Sequence, residues 1–167
     1  MPKDAAIIDI GAGESRFVDF LLENGYQNIS VLDISQKAIE KKQESLGEKA
    51  KQVQWIVSDI VDFVPTQKYA FWHDRAAFHF LTEDQDIEKY QTLLNHAISE
   101  NGVLLIGTFS ETGPKKCSGL EIRQYSSQSL EALLGTFQKM ECWNDQHPTP
   151  FDTLQDFIFC SFRKLSN

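Results

Sequence analysis

The stretch AAIIDIGAGESRFVDFLL, Ala5 to Leu22, decides the fold. Ala5 to Ile8 with Ile10 is an almost continuous apolar run, the pattern of a strand buried on both faces of a parallel sheet. It breaks at Gly11-Ala12-Gly13, where the missing side chains allow a tight turn and let a ligand approach the backbone. Ser15 then stands where a helix cap belongs, ahead of Phe17, Val18, Leu21 and Leu22 at helical spacing, and Gly25 marks the helix end. Strand, glycine turn and helix in that order form the nucleotide-binding corner of a doubly wound α/β sheet. Free N–H groups and the helix dipole face the ligand there.

The next segment, Asn28 to Asp33 (NISVLD), reads as a second strand closed by a carboxylate. Asp33 lies 20 residues after Gly13, the spacing at which an acidic side chain accepts hydrogen bonds from a ribose diol. The alternative is a helix cap, a role that Ser35 already fills at the start of the polar helix Ser35 to Leu46. Val53 to Val57 is a third strand running into Ser58-Asp59-Ile60. Tyr69 to Trp72 is a fourth, followed by His73-Asp74-Arg75-Ala76-Ala77-Phe78-His79. That segment crowds ionisable residues onto the carboxyl edge, where open α/β sheets bind ligands.

Thr82 and Gln85 read as a capping box for a helix burying Ile87, Tyr90, Leu94, Ala97 and Ile98. Gly102 to Phe109 is a fifth strand, and the long connection Ser110 to Tyr125 is of the kind that is more often functional than idle. A further helix starts at Ser126 or Ser127 and runs through Leu134. Phe137 to Trp143 and Phe157 to Phe162, joined by a segment with Pro148 and Pro150, form a closing hairpin, so the sheet ends with one antiparallel member. A dinucleotide-binding domain normally continues helix then parallel strand, and its fingerprint wants a third glycine where Arg16 stands. An NAD-dependent oxidoreductase is therefore the weaker reading of this corner.

At 167 residues the chain suits one domain, and 24 acidic against 16 basic residues give a net charge of −8, which argues against a broad nucleic-acid footprint. There is no apolar stretch long enough for a membrane span and no signal-peptide pattern. Three scattered cysteines, Cys117, Cys142 and Cys160, fit no zinc spacing and point to a reducing cytoplasm.

Asp9-Ile10-Gly11-Ala12-Gly13 resembles the first motif of class I S-adenosylmethionine-dependent methyltransferases. The strand order just read extends that likeness to essentially the whole chain. WHDRAAFHFLTEDQD, IGTFSETGPKKCSGL and TPFDTLQDFIFCSF further resemble a small bacterial group of methyltransferase-domain, type-12-like proteins. The resemblance implies a Rossmann-like, doubly wound sheet of seven strands, mostly parallel with one antiparallel strand near the C-terminus. It implies S-adenosylmethionine as cofactor and a single methyltransferase domain over residues 1–167. Members of the group carry a segment before the first strand that helps roof the cofactor, and here the first strand begins almost at Met1.

By the same resemblance Asp9 helps hold the turn and the methionine end, with Gly11, Ala12, Gly13 and Arg16 forming the cofactor turn. Asp33 takes the ribose, Ile34 lies against adenine, Asp59 receives the adenine amino group and Ile60 sits under the ring. His73 is the best general-base candidate, since an unperturbed imidazole titrates near neutrality. Its backbone equally suits the cofactor's amino end while the ring packs. Asp74 and Arg75 orient a substrate or pair with each other to fix the turn. His79 and Cys117 are candidate substrate contacts, against the readings of a satisfied core histidine and an ordinary loop cysteine. No metal-ligand spacing is present. The acceptor expected is a small molecule, with a protein-lysine methyltransferase or a non-catalytic adenosyl-binding module as rivals.

Overall fold

The structure is a computed structural model, described for residues 1–11, 13, 15–148 and 154–166. Strand β1 (Ile7–Ile10) is buried throughout, with β2 (Ile29–Asp33) parallel on one side and β4 (Tyr69–Arg75) parallel on the other. Strand β3 (Val53–Val57) flanks β2, and β5 (Ile98–Phe109) flanks β4, both in parallel. The hairpin β8 (Phe137–Pro148) and β9 (Leu154–Lys164) completes a seven-stranded sheet in the order β3-β2-β1-β4-β5-β9-β8. Strand β9 runs antiparallel to both its neighbours. This is the mostly parallel, Rossmann-like arrangement expected, its hairpin strands running further than the apolar segments alone suggested.

Helix α1 (Phe17–Glu23) buries Val18 and Leu21 against β1 and β2, within a cluster that includes Ile7 and Val31. Its first amide, that of Phe17, donates to Ser15 Oγ at 3.1 Å although Arg16 occupies the cap position. Beyond its end, Gly25 (φ +75°) and Tyr26 donate to the carbonyls of Leu22 and Leu21, a Schellman closure. Helix α2 (Gln36–Leu46) is capped by Ser35, whose Oγ accepts from Ala38 N–H. Helix α3 (Asp84–Ala97) covers the opposite face through Ile87, Tyr90, Leu94 and Ala97. The Thr82–Gln85 capping box does not form, because the helix begins one residue later than that pattern requires, with Glu83 at the cap and no side-chain cap bond. Helix α4 (Ser127–Leu133) does have a reciprocal box, between Ser126 and Ser129.

The 110–125 connection carries a small hairpin, β6 (Lys116–Cys117) and β7 (Leu120–Glu121), turned by Ser118 (φ +50°) and Gly119 (φ +82°). Cys142 and Cys160 stand directly opposite each other in the β8–β9 register and form a disulfide, leaving Cys117 free. Linear spacing could not reveal that pairing, because the two cysteines are brought together only by the register of the hairpin. Among the described residues no helix is long and apolar enough to cross a membrane, and no cluster of three or more His, Cys, Asp or Glu side chains could hold a metal.

Candidate active site

The site is assembled where β1, β2 and β4 end. Gly11 (φ +64°) donates to the Leu32 carbonyl at 2.8 Å, and a Cβ there would lie 2.8 Å from Ala77 Cβ. The glycine turn and the turn after β4 are thus in contact, and only a residue without a side chain fits between them. Gly13 (φ +44°) donates to Asp33 Oδ2 at 2.9 Å, while Asp33 Oδ1 accepts from Ser35 N–H at 2.8 Å. Asp33 therefore ties the glycine turn to the start of α2, doing part of the capping work considered for it. Ala12 lies outside the described residues.

Asp9 and His73 are paired neighbours on β1 and β4. Their side chains meet at 2.6 Å, His73 Nδ1 to Asp9 Oδ1, with Phe17 packed 4.6 Å from the imidazole. Both are buried, and Asp9 Oδ2 has no partner. His73 was expected just past the fourth strand, but it lies within β4, as do Asp74 and Arg75. Polar residues can occupy that strand because tertiary partners satisfy them.

Asp74 is fully buried beneath the edge and saturated. Its Oδ1 accepts from the Ala77 and Phe78 amides at 3.1 Å each, and its Oδ2 accepts from Tyr90 O–H at 2.6 Å. Burial pushes its carboxyl above the ordinary range, partly offset by those bonds, and pushes the Tyr90 phenol well up. Asp74 fixes the turn through Tyr90 and two amides, not through an ion pair with Arg75, which is half-buried at the end of β4. Tyr90 carries no sequence signal beyond its place on the apolar face of α3.

The remaining candidates scatter around this edge. Asp59 Oδ1 accepts from the Val61 amide at 3.1 Å, just beyond β3. Ile60 is turned into the main core rather than standing at the edge, because it packs in the cluster that holds Leu32 and Trp72. Ile34 next to Asp33 is 69% exposed, an uncovered apolar surface at that corner. Arg16 is exposed and lines a groove of about 810 Å³ between α1 and α2, which meets the glycine turn at Gly13.

His79 is 0% exposed, yet both ring nitrogens lack a hydrogen-bond partner, so it is a core histidine but not a satisfied one. Burial lowers its pKa to about 4, which keeps the ring neutral. Its ring lies 4.7 Å from those of Phe80 and Phe109, and Phe109 lies 4.7 Å from Phe157. Ile122 and the half-buried Cys117 of the 110–125 connection pack with Phe80, Phe109 and Phe157 in one cluster. Lys116, beside Cys117, pairs with Glu121 at 2.9 Å. A second buried orphan that sequence reasoning missed is the Tyr125 hydroxyl, whose pKa burial raises to about 12.

Positive-φ glycines, acidic strand ends and this strand order define a class I S-adenosylmethionine-dependent methyltransferase. The sequence profile of the methyltransferase domain family matches residues 7–102, more than half of the chain, and the chain belongs to that family. Its cofactor is S-adenosylmethionine. Solved structures share the fold. The N-methyltransferase NodS from Bradyrhizobium japonicum aligns with TM-score 0.77 at 14% identity, covering 98% of this chain and 88% of that one. An S-adenosylmethionine-dependent methyltransferase from Methanosarcina mazei aligns with TM-score 0.78 at 15% identity, covering 100% and 95%. The 1,6-didemethyltoxoflavin N1-methyltransferase of Burkholderia thailandensis, crystallised with 1,6-didemethyltoxoflavin and S-adenosylhomocysteine, aligns with TM-score 0.75 at 19% identity, covering 98% and 72%. No curated protein matches the chain in sequence.

Proposed function

We propose that this methyltransferase modifies a small molecule, with His73 as its general base and Asp9 as the residue that positions His73. One of the structural relatives named above is crystallised with a small compound, 1,6-didemethyltoxoflavin, and the net negative charge of this chain disfavours polyanionic substrates. The observation that carries the reading is the buried 2.6 Å contact between His73 Nδ1 and Asp9 Oδ1 at the carboxyl edge.

The residues present suit the cofactor. Gly11 and Gly13 leave their turn without side chains, Asp33 retains lone pairs beyond those used by Gly13 and Ser35, and the bare face of Ile34 suits a flat adenine. Asp59 would meet the adenine amino group, and the orphaned Asp9 Oδ2 suits a cationic amino end. When bound, S-adenosylmethionine supplies a methyl carbon already activated on a positively charged sulfur. The protein's task is then alignment and exclusion of water, which contributes on the order of 7–11 kcal/mol in favourable cases. With Asp9 accepting from Nδ1–H, the proton sits on that nitrogen and Nε2 is left to take a proton from an acceptor hydroxyl or amine. Asp74 acts at one remove, holding the Ala77–Phe78 turn against Gly11.

A labelled-methyl screen of lysate fractions tests the class of acceptor, and label in the small-molecule fraction is the expected result. Label confined to protein would point to a lysine methyltransferase, and binding of S-adenosylhomocysteine with no transfer at all to a non-catalytic module. Once an acceptor is in hand, His73→Gln should lower kcat at least 100-fold while S-adenosylhomocysteine still binds within a few-fold of wild type. Asp9→Asn should lower kcat with little change in the KM of the acceptor. An unchanged kcat in His73→Gln would remove the base assignment.

A further inference from the structure

We infer that His79, with Phe80, Phe109 and Phe157, forms the subsite for the methyl acceptor, and that this acceptor is an uncharged planar ring bearing a hydroxyl or ring N–H. The inference rests on the methyltransferase reading, which puts the methyl donor at the glycine turn. The cluster is next to that turn. Ala77 Cβ is what a Cβ on Gly11 would strike, and its neighbour Ala76 packs on the aromatic cluster. Two small side chains therefore separate donor corner and cluster, at the ends of β4 and β5.

An imidazole that is completely buried without a partner is rare, because each unmet polar atom carries a desolvation cost that no bond returns. His79 presents two such atoms. As a neutral ring it has one donor and one acceptor, matching a hydroxyl or a ring N–H on the ligand. Its ring neighbours are aromatic, Phe80 edge-on at 73° and Phe109 tilted at 36°, the arrangement that receives another flat ring.

Charge argues for a neutral ligand. The rings around His79 and Phe109 carry no charge, and on the connection Lys116 pairs with Glu121, Arg123 with Asp84, and Lys115 is exposed. A selenite, tellurite or carboxylate would be desolvated there without a counter-ion. Ile122 and Cys117 of the connection belong to the same cluster as Phe80, Phe109 and Phe157, and the Arg123 backbone N–H donates to the His79 carbonyl at 2.8 Å, so the connection is tied to this segment.

The test uses the full chain with S-adenosylhomocysteine bound and its histidine rings labelled with 15N. The probes are 1-naphthol, its charged counterpart 2-naphthoate, and cyclohexanol, which is uncharged but not flat. Naphthol should move the His79 ring nitrogens, and its affinity should fall at least tenfold in His79→Phe. Naphthoate and cyclohexanol should each bind at least tenfold more weakly than naphthol. His79→Phe should also melt at a higher temperature than wild type, since an unpaired polar ring is replaced by an apolar one of similar shape.

Should that variant fail to fold, Ile122→Trp, which fills the cluster from above, is expected to exclude naphthol while leaving S-adenosylhomocysteine binding intact. Naphthol binding equally well to His79→Phe or to Ile122→Trp, or leaving the His79 signals unmoved, overturns the subsite. Failure of wild type to bind S-adenosylhomocysteine would instead strike the donor assignment, and naphthol titrated into the ligand-free chain would then still decide the subsite.

Discussion

His79 ties the chain's stability to pH through burial alone. Its pKa falls from 6.5 to about 4 on folding, so its contribution is complete above the unfolded value and is lost as pH falls toward the folded one. The unfolded chain takes up the proton in that window while the native state refuses it. Between pH 7 and pH 4.5 this linkage amounts to about 2–3 kcal/mol. Urea titrations at the two pH values should show wild type losing that much more than His79→Phe. Equal losses would mean that the imidazole finds a proton acceptor in the native state. Asp74 runs the other way, because desolvation raises its carboxyl pKa. Its contribution is therefore complete at low pH and declines as pH rises through the raised value. Asp74→Ala strands two amides and the Tyr90 hydroxyl, and should cost about 3 kcal/mol or more in the same titration.

At the scale of the element, what local patterning could reveal stops where tertiary partners begin. β1, the glycine turn, α1 and the Asp33 strand end were legible because apolar period, positive-φ glycines and caps are all local signals. β4 was read three residues short, because His73, Asp74 and Arg75 break its apolar run. What lets His73 and Asp74 stay in the sheet is Asp9, 64 positions from the first, and Tyr90, 16 positions from the second, neither legible from local pattern. The closing hairpin was legible as two apolar segments, but its register, and with it the Cys142–Cys160 pair, was not. Alkylation of the native protein should accordingly modify one thiol, Cys117, and three after reduction and unfolding. The fit of this hairpin on β5 is tight at Gly107, where an added Cβ would stand 2.4 Å from the Phe159 ring. Gly107→Ala should cost about 1–3 kcal/mol, read as a lower midpoint of urea unfolding, by forcing that ring off its stack with Trp143.

Across the whole molecule the donor corner and the aromatic cluster share one edge of one sheet, so ligand binding and global stability are linked. A ligand that binds only the native state adds RT ln(1 + [L]/Kd), about 2.7 kcal/mol at a hundredfold excess over Kd. S-adenosylhomocysteine at that excess should stabilise the chain by this amount in urea unfolding, and NAD at the same concentration should not. Asp33→Ala removes both the proposed ribose partner and the acceptor that holds Gly13 N–H, so its ligand-free form should also be less stable. Asp33→Asn keeps an acceptor for that amide and isolates the ligand's share. In Asp33→Asn the ligand-free stability should therefore move less than in Asp33→Ala, while the increment from S-adenosylhomocysteine shrinks in both. His79→Phe should retain the full increment, since its ring faces the aromatic cluster rather than the glycine turn. A full increment in both Asp33 variants would move the ribose away from the end of β2, and with it the direction in which the methyl carbon faces the acceptor.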